Sequence, residues 1–201
     1  MVIKLRAEFL NINTPPHIFT LIVLSGLGAL SLSIFLSSIL EMSVFFNKSY
    51  ALMQLSISLY LITTAFFQII AGPLSDKFGR RIITLFSIMI FILASLGCFF
   101  STKFEFFIFF RLLQASIAAG FLMSRVIIRD ITSENEAASM IGYVTMGMSI
   151  IPLFAPGLGG LIQMLVGWPS IFLIMSLLGL LLFLLVYRDL GERKMFLLSF
   201  C

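Results

Sequence analysis

The chain has 201 residues, of which 60% are hydrophobic and only 11% charged, and its mean hydropathy is +1.14. A soluble domain carries roughly a quarter charged residues, so water is excluded as the main solvent and nothing is left over for a soluble domain. The net charge of +4 does not point to nucleic acid, because no segment combines clustered Lys and Arg with an exposed aromatic platform.

A hydrocarbon core about 30 Å thick takes roughly 20 apolar residues per helix. The expected fold class is therefore an all-α membrane protein of six transmembrane helices with short loops. Residues 1–17 form an N-terminal segment carrying Lys4 and Arg6. The apolar stretch behind them is too long for a signal-peptide core and lacks a small-residue cleavage site, so it reads as a retained first helix. That span covers about 18–40, after Thr14-Pro15-Pro16, where proline suits a helix start. The second covers about 51–71 and is expected to stop at Gly72-Pro73. The charged loop Asp76-Lys77-Phe78-Gly79-Arg80-Arg81 then leads into a third span at about 82–100.

The fourth span, about 104–128, opens with Thr102 and Glu105 at capping-box spacing, and the fifth, about 137–166, opens likewise with Ser133 and Glu136. Pro152 and Pro156 lie inside the fifth, and the sixth runs from Trp168-Pro169 to about 187. Residues 188–201 form a tail whose apolar end, 195–201, is too short to cross again. Cys98 and Cys201 have no spacing that suggests a disulfide or metal site, and neither a metal nor a cofactor is expected.

With the amino terminus in the cytoplasm, Lys4, Arg6, Lys77, Arg80, Arg81, Arg125, Arg129, Arg188, Arg193 and Lys194 fall inside, against Lys48 and Lys103 outside. Both termini are then cytoplasmic. Three spans carry the chain to the far side, so spans one to three and four to six run in opposite senses, the arrangement of inverted-repeat transporters. Any odd-plus-odd bundle does so, and the two triplets share little sequence letter by letter.

Arg111, with Gln114 one turn on, sits about two turns inside the fourth span. A guanidinium there costs several kcal/mol unless it faces protein or water, although it could also snorkel to the nearby surface. Gly147, Pro152, Pro156, Gly159 and Gly160 would give the fifth span a close-packing, kinked seam or a generic small-residue face.

The run Gly72-Pro73-Leu74-Ser75-Asp76-Lys77-Phe78-Gly79-Arg80-Arg81 closely resembles the signature loop between helices two and three of the major facilitator superfamily. The resemblance implies a cytoplasmic gate of Gly72, Asp76, Gly79, Arg80, Arg81 and Asp130, in which Asp76 faces a helix of a second half and Arg80 pairs with Asp130. Arg111-Leu112-Leu113-Gln114 resembles the family's helix-four motif, with Ala115 replacing its usual first glycine. Gly147, Pro152, Ala155-Pro156 and Gly159-Gly160 resemble the motif that distinguishes its antiporters. Arg125, Arg129, Asp130 and Gly167-Trp168-Pro169-Ser170-Ile171-Phe172 complete a pattern similar to the bicyclomycin-resistance (Bcr/CflA) branch of drug/proton antiporters, over about residues 21–189.

The resemblance implies one 3+3 inverted-repeat half of a major facilitator fold, acting in multidrug efflux at the bacterial inner membrane on a small drug-like substrate. The substrate cavity would lie between spans one, two, four and five, with Gln114, Met123, Tyr143 and Met146 as candidates to face it. Two departures stand out. The family has twelve helices, so this chain reads as a half-length protein. The alternatives are an inactive truncated remnant, or a half completed by a second copy or a separately encoded partner. In the first span, Ser33-Ile34-Phe35-Leu36-Ser37 replaces the family's acid and its aromatic-leucine-proline turn, leaving Glu41 as the nearest acid. Serine does not titrate near neutral pH, so proton-driven transport by this chain alone is expected to be absent or badly impaired. An enzyme is not expected, because the one histidine, His17, precedes the first span.

Overall fold

The computed structural model describes residue 10 and residues 15–191. Lys4, Arg6, Arg193, Lys194, Cys201 and most of the tail lie outside the described residues. Among the described residues six helices are long and apolar enough to cross a membrane: Ile18–Phe45, Tyr50–Phe78, Arg80–Phe100, Phe104–Ile131, Glu136–Val166 and Pro169–Asp189. Helices are the solution hydrocarbon demands, because no water is there to bond a free backbone group.

The second span does not stop at Gly72-Pro73. It continues through Pro73 to Phe78, because an internal proline removes one backbone donor while its own φ stays helical. Gly72 has no heavy atom within 4 Å of the position a Cβ would take, so neither a turn nor a close approach requires glycine there. The stop comes at Gly79, with φ 99° and ψ 147°, a region that only glycine populates freely. One non-helical residue thus joins the second and third spans. Gly167, with φ 88° and ψ 157°, turns the fifth span into the sixth in the same way, and Pro169 takes the first turn of the helix that follows.

Neither expected capping box forms. Lys103 rather than Thr102 stands at the N-cap of the fourth span, and Glu105 reaches toward Lys48 at 4.0 Å. Ser133 does stand at the N-cap of the fifth span, but its hydroxyl donates to Glu136 Oε2 at 3.1 Å instead of accepting from the backbone.

Two spans are broken without glycine or proline at the break. The first narrows to a 3-10 segment at Ile34–Ser38. The fourth divides into Phe104–Gln114 and Ile117–Ile131, with a turn at Ala115 and Ser116. These are the leading spans of the two triplets, and the packing repeats the correspondence. The first span packs along the fifth, as the fourth packs along the second; the third packs against the sixth, and the first meets the fourth. Exchanging the two triplets maps each of these pairings onto another of them or itself, although the third span packs more closely on the fourth than the sixth does on the first. Hydroxyls mark the crossing of first and fourth spans, where Ser25 and Ser124 lie 2.7 Å apart.

One core cluster joins Leu24, Phe91, Met123 and Met175 through the middle of the bundle. A second gathers Phe35, Phe46, Phe107, Trp168 and Phe172 toward the end opposite Gly79. The second and fifth spans are the least covered, with 17% and 11% of their most apolar stretches buried against 39–56% for the other four.

Candidate functional site

Arg111 is 1% exposed, so its side chain points into the bundle rather than snorkelling outward. Its Nη2 donates to the Ser31 carbonyl at 2.9 Å and its Nη1 to Gln114 Oε1. The Gln114 amide in turn donates to Ser95 Oγ at 2.7 Å. The guanidinium carbon lies 3.9 Å from the Phe35 ring centroid and 4.4 Å from that of Tyr60. A buried cation is held by hydrogen bonds and ring quadrupoles, and its Nε has no hydrogen-bond partner. Among the described residues no carboxylate forms a salt bridge with it. Ser31 lies three residues ahead of the 3-10 segment, so Arg111 fastens the broken fourth span to the first at its own break.

Close to this group, a cavity of about 500 Å³ opens between the first, second, fourth and fifth spans. Its walls include Ser25 and Ser33 of the first, Tyr60 and Gln68 of the second, Phe121 of the fourth, and Pro152 of the fifth. That volume suits a drug-sized molecule. None of the four candidates chosen from sequence lines it: Gln114 and Met123 are wholly buried, whereas Tyr143 and Met146 are 55% and 59% exposed on the fifth span. The wall residues carried a signal of their own. Tyr60, Thr64 and Gln68 recur every four residues, a polar stripe along one face of an otherwise apolar helix.

The fifth-span motif forms a seam against the first. A Cβ on Gly159 would overlap the Ile34 carbonyl oxygen, one on Gly147 would lie 2.7 Å from Ile22, and one on Gly160 would lie 3.8 Å from Ser37 Cβ. Pro152 reaches the cavity wall, and Pro156 is continued through by the helix. Ser38 Oγ donates to Gln163 Oε1 at 2.6 Å, so the fifth span grips the 3-10 segment along its length.

At the end of the bundle bearing Gly79, Arg80 Nε lies 3.2 Å from Asp130 Oδ2 and its Nη1 2.8 Å from Asp76 Oδ1, with a further bond from Nη1 to Ser75 Oγ. Arg80 thereby ties the second, third and fourth spans. Arg81 Nη2 donates to the Tyr187 carbonyl at 3.0 Å and its guanidinium stands over the Tyr187 ring, which places a cation at the carbonyl end of the sixth span. Asp76 remains 65% exposed.

A residue that sequence reasoning passed over completes this edge. Asp189, the last of the sixth span and fully buried, accepts from Leu10 N and His17 N, each at 2.9 Å, and from Thr20 Oγ1 at 2.5 Å. It satisfies donors at the start of the first span, which a helix leaves open. In sequence it is one acid beside Arg188, with no local sign of a partner 170 residues away.

Residues 18–196 match the family model of the Major Facilitator Superfamily. The chain belongs to the major facilitator superfamily. It is similar to an uncharacterized MFS-type transporter, YdgK, of Bacillus subtilis (34% identical, covering 87% of this chain and 44% of that one). It is also similar to the multidrug resistance protein MdtL of Shewanella oneidensis (35%; 75% and 39%) and to a chloramphenicol resistance protein of Pseudomonas aeruginosa (31%; 75% and 36%). This major facilitator chain spans about two fifths of the length of the curated relatives it matches. Among solved structures, a D-xylose-proton symporter shares its fold, with a TM-score of 0.73 at 16% identity, over 90% of this chain and 50% of that one. The family and these relatives are transporters, not enzymes.

Proposed function

We propose that these six helices act as one half of a drug-efflux transporter of the drug/proton antiporter type, in the Bcr/CflA branch, at the bacterial inner membrane with both termini cytoplasmic. The observation that carries this reading is the drug-sized cavity between the first, second, fourth and fifth spans. The relatives named for multidrug and chloramphenicol resistance supply the substrate class. Their greater length supports a second six-helix half that closes the cavity from the other side, so that the two halves rock about a shared site. The gate residues fit the same picture, since Arg80 and Arg81 brace one end of the bundle and leave the Asp76 carboxylate largely open to a partner helix.

Ser33 favours a second reading, an inactive remnant or a half that moves drug without a proton. It stands on the cavity wall, where a carboxylate would change charge during a cycle and a hydroxyl does not. Expression in an efflux-deficient bacterium, alone and together with the second half of MdtL, separates these readings. The paired form is expected to raise chloramphenicol tolerance several-fold while the chain alone does not, with membrane insertion checked by immunoblot in both. Equal sensitivity in both strains would sink the efflux reading and leave the remnant.

A further inference from the structure

We infer that the cavity selects against positive charge and takes neutral or anionic amphiphiles in preference to organic cations. The inference rests on the reading of this cavity as the substrate site and adds the charge of the substrate to it. Two aromatic residues, Tyr60 and Phe121, stand in its wall, and both already hold an arginine. The Arg111 guanidinium lies 4.4 Å from the Tyr60 centroid, and that of Arg125 lies 4.4 Å from the Phe121 centroid. An aromatic wall attracts an organic cation through the negative faces of its rings, and at each of these rings a fixed cation is already in place.

Among the described residues no carboxylate forms a salt bridge with either arginine. Among the described residues the cavity wall contains no carboxylate. Ser33 presents a hydroxyl that donates to the Ala29 carbonyl at 3.0 Å. Glu41 is exposed toward the far end of the first span, and Asp189 is engaged by Leu10, His17 and Thr20. Asp76 and Asp130 are both bound to Arg80. Arg111 stays protonated at any accessible pH. It is buried and touches the ring of Tyr60, a wall residue, so its field reaches a bound molecule through protein rather than bulk water. At a separation of about 8 Å and an effective dielectric constant near 20, one like charge weakens binding on the order of tenfold or more. The wall is mostly apolar, and its polar groups, among them the hydroxyls of Ser25, Ser33 and Thr64 and the amide of Gln68, are neutral, which suits an amphiphile with hydroxyl and amide groups of its own.

The test uses the full chain in detergent, with labelled chloramphenicol as the neutral probe. Two competitors of nearly equal shape and opposite charge, tetraphenylborate and tetraphenylphosphonium, are compared, with free concentrations set by dialysis against protein-free micelles. The borate is expected to displace chloramphenicol at roughly tenfold lower free concentration than the phosphonium. Ser33→Asp, which adds a carboxylate to the wall, and Arg125→Gln, which frees the Phe121 ring, should each bring the two values together. Either variant suffices if the other does not fold, as judged by circular dichroism. Equal displacement by the two ions in the unaltered chain overturns the charge preference while leaving the drug site standing. Failure of chloramphenicol itself to bind overturns the drug site, and the preference with it.

Discussion

A guanidinium in the middle of an apolar bundle is stable only in the geometry that holds it. At position 111 that geometry is planar and forked: two donors reach the Ser31 carbonyl and Gln114, and the flat group lies against Phe35 and Tyr60. An ammonium carries the same charge but cannot lie flat on a ring or fork between two acceptors. Arg111→Lys therefore retains the whole desolvation cost and loses much of what offsets it. Arg111→Met removes the charge, and a flexible thioether fills the space, leaving the Ser31 carbonyl and Gln114 short of a donor at about 1–3 kcal/mol. The expected order of stability is unaltered chain, then Met, then Lys, read as the midpoint of unfolding when SDS is titrated into mild-detergent micelles. A lysine variant as stable as the unaltered chain would show that charge alone, and not the fork and the rings, is what this position requires.

At the scale of elements, the two helix junctions Gly79 and Gly167 are equivalent. Each follows the middle span of its triplet, and each has a backbone that side chains avoid, with φ of 99° and 88°. Nothing lies within 4 Å of a Cβ at Gly79, and at Gly167 only Pro169 Cδ comes near, at 3.7 Å, so the penalty for alanine is conformational and not steric. Gly79→Ala and Gly167→Ala should each cost about 1–3 kcal/mol, and by similar amounts, in the same SDS titration. A neutral Gly79→Ala would mean that the junction relaxes into a longer loop. The same elements show what sequence made legible. Six spans stood out because hydrocarbon requires long uninterrupted apolar runs, and Gly167-Trp168-Pro169 marked its turn by composition. The breaks at Ile34–Ser38 and at Ala115 and Ser116 left no such mark, since they arise from one helix bonding and packing on another. Pro73 misled for the opposite reason, because a local breaker signal is overridden when the surroundings reward continued helix. Side-chain chemistry alone does not single out the cavity wall, because position along the Tyr60, Thr64, Gln68 stripe decides which side chains reach it.

For the whole molecule, the packing pattern that survives exchange of the two triplets is the evidence of an inverted repeat that letter-by-letter comparison lacks, and it leaves the orientation in the membrane to be argued from charge. The end bearing Gly79 carries Lys77, Arg80, Arg81, Arg125, Arg129 and Arg188 among the described residues, and the other end carries Lys48 and Lys103. Basic residues near span ends are retained on the cytoplasmic side, so the proposed orientation puts the end with Gly79 there and the aromatic cluster around Trp168 outside. Single-cysteine labelling tests this directly. Cys98 is buried with 0% exposure, so only Cys201 needs replacement by serine before new thiols are added. Lys48→Cys and Lys103→Cys, both at exposed positions, should react with a membrane-impermeant maleimide applied to intact cells, whereas Lys77→Cys should react only in inside-out vesicles. Labelling of Lys77→Cys from the cell exterior would invert the bundle. The braced edge of Arg80, Asp76 and Asp130 would then face outward, and a gate that guards the cytoplasmic mouth of an exporter could not be built from it.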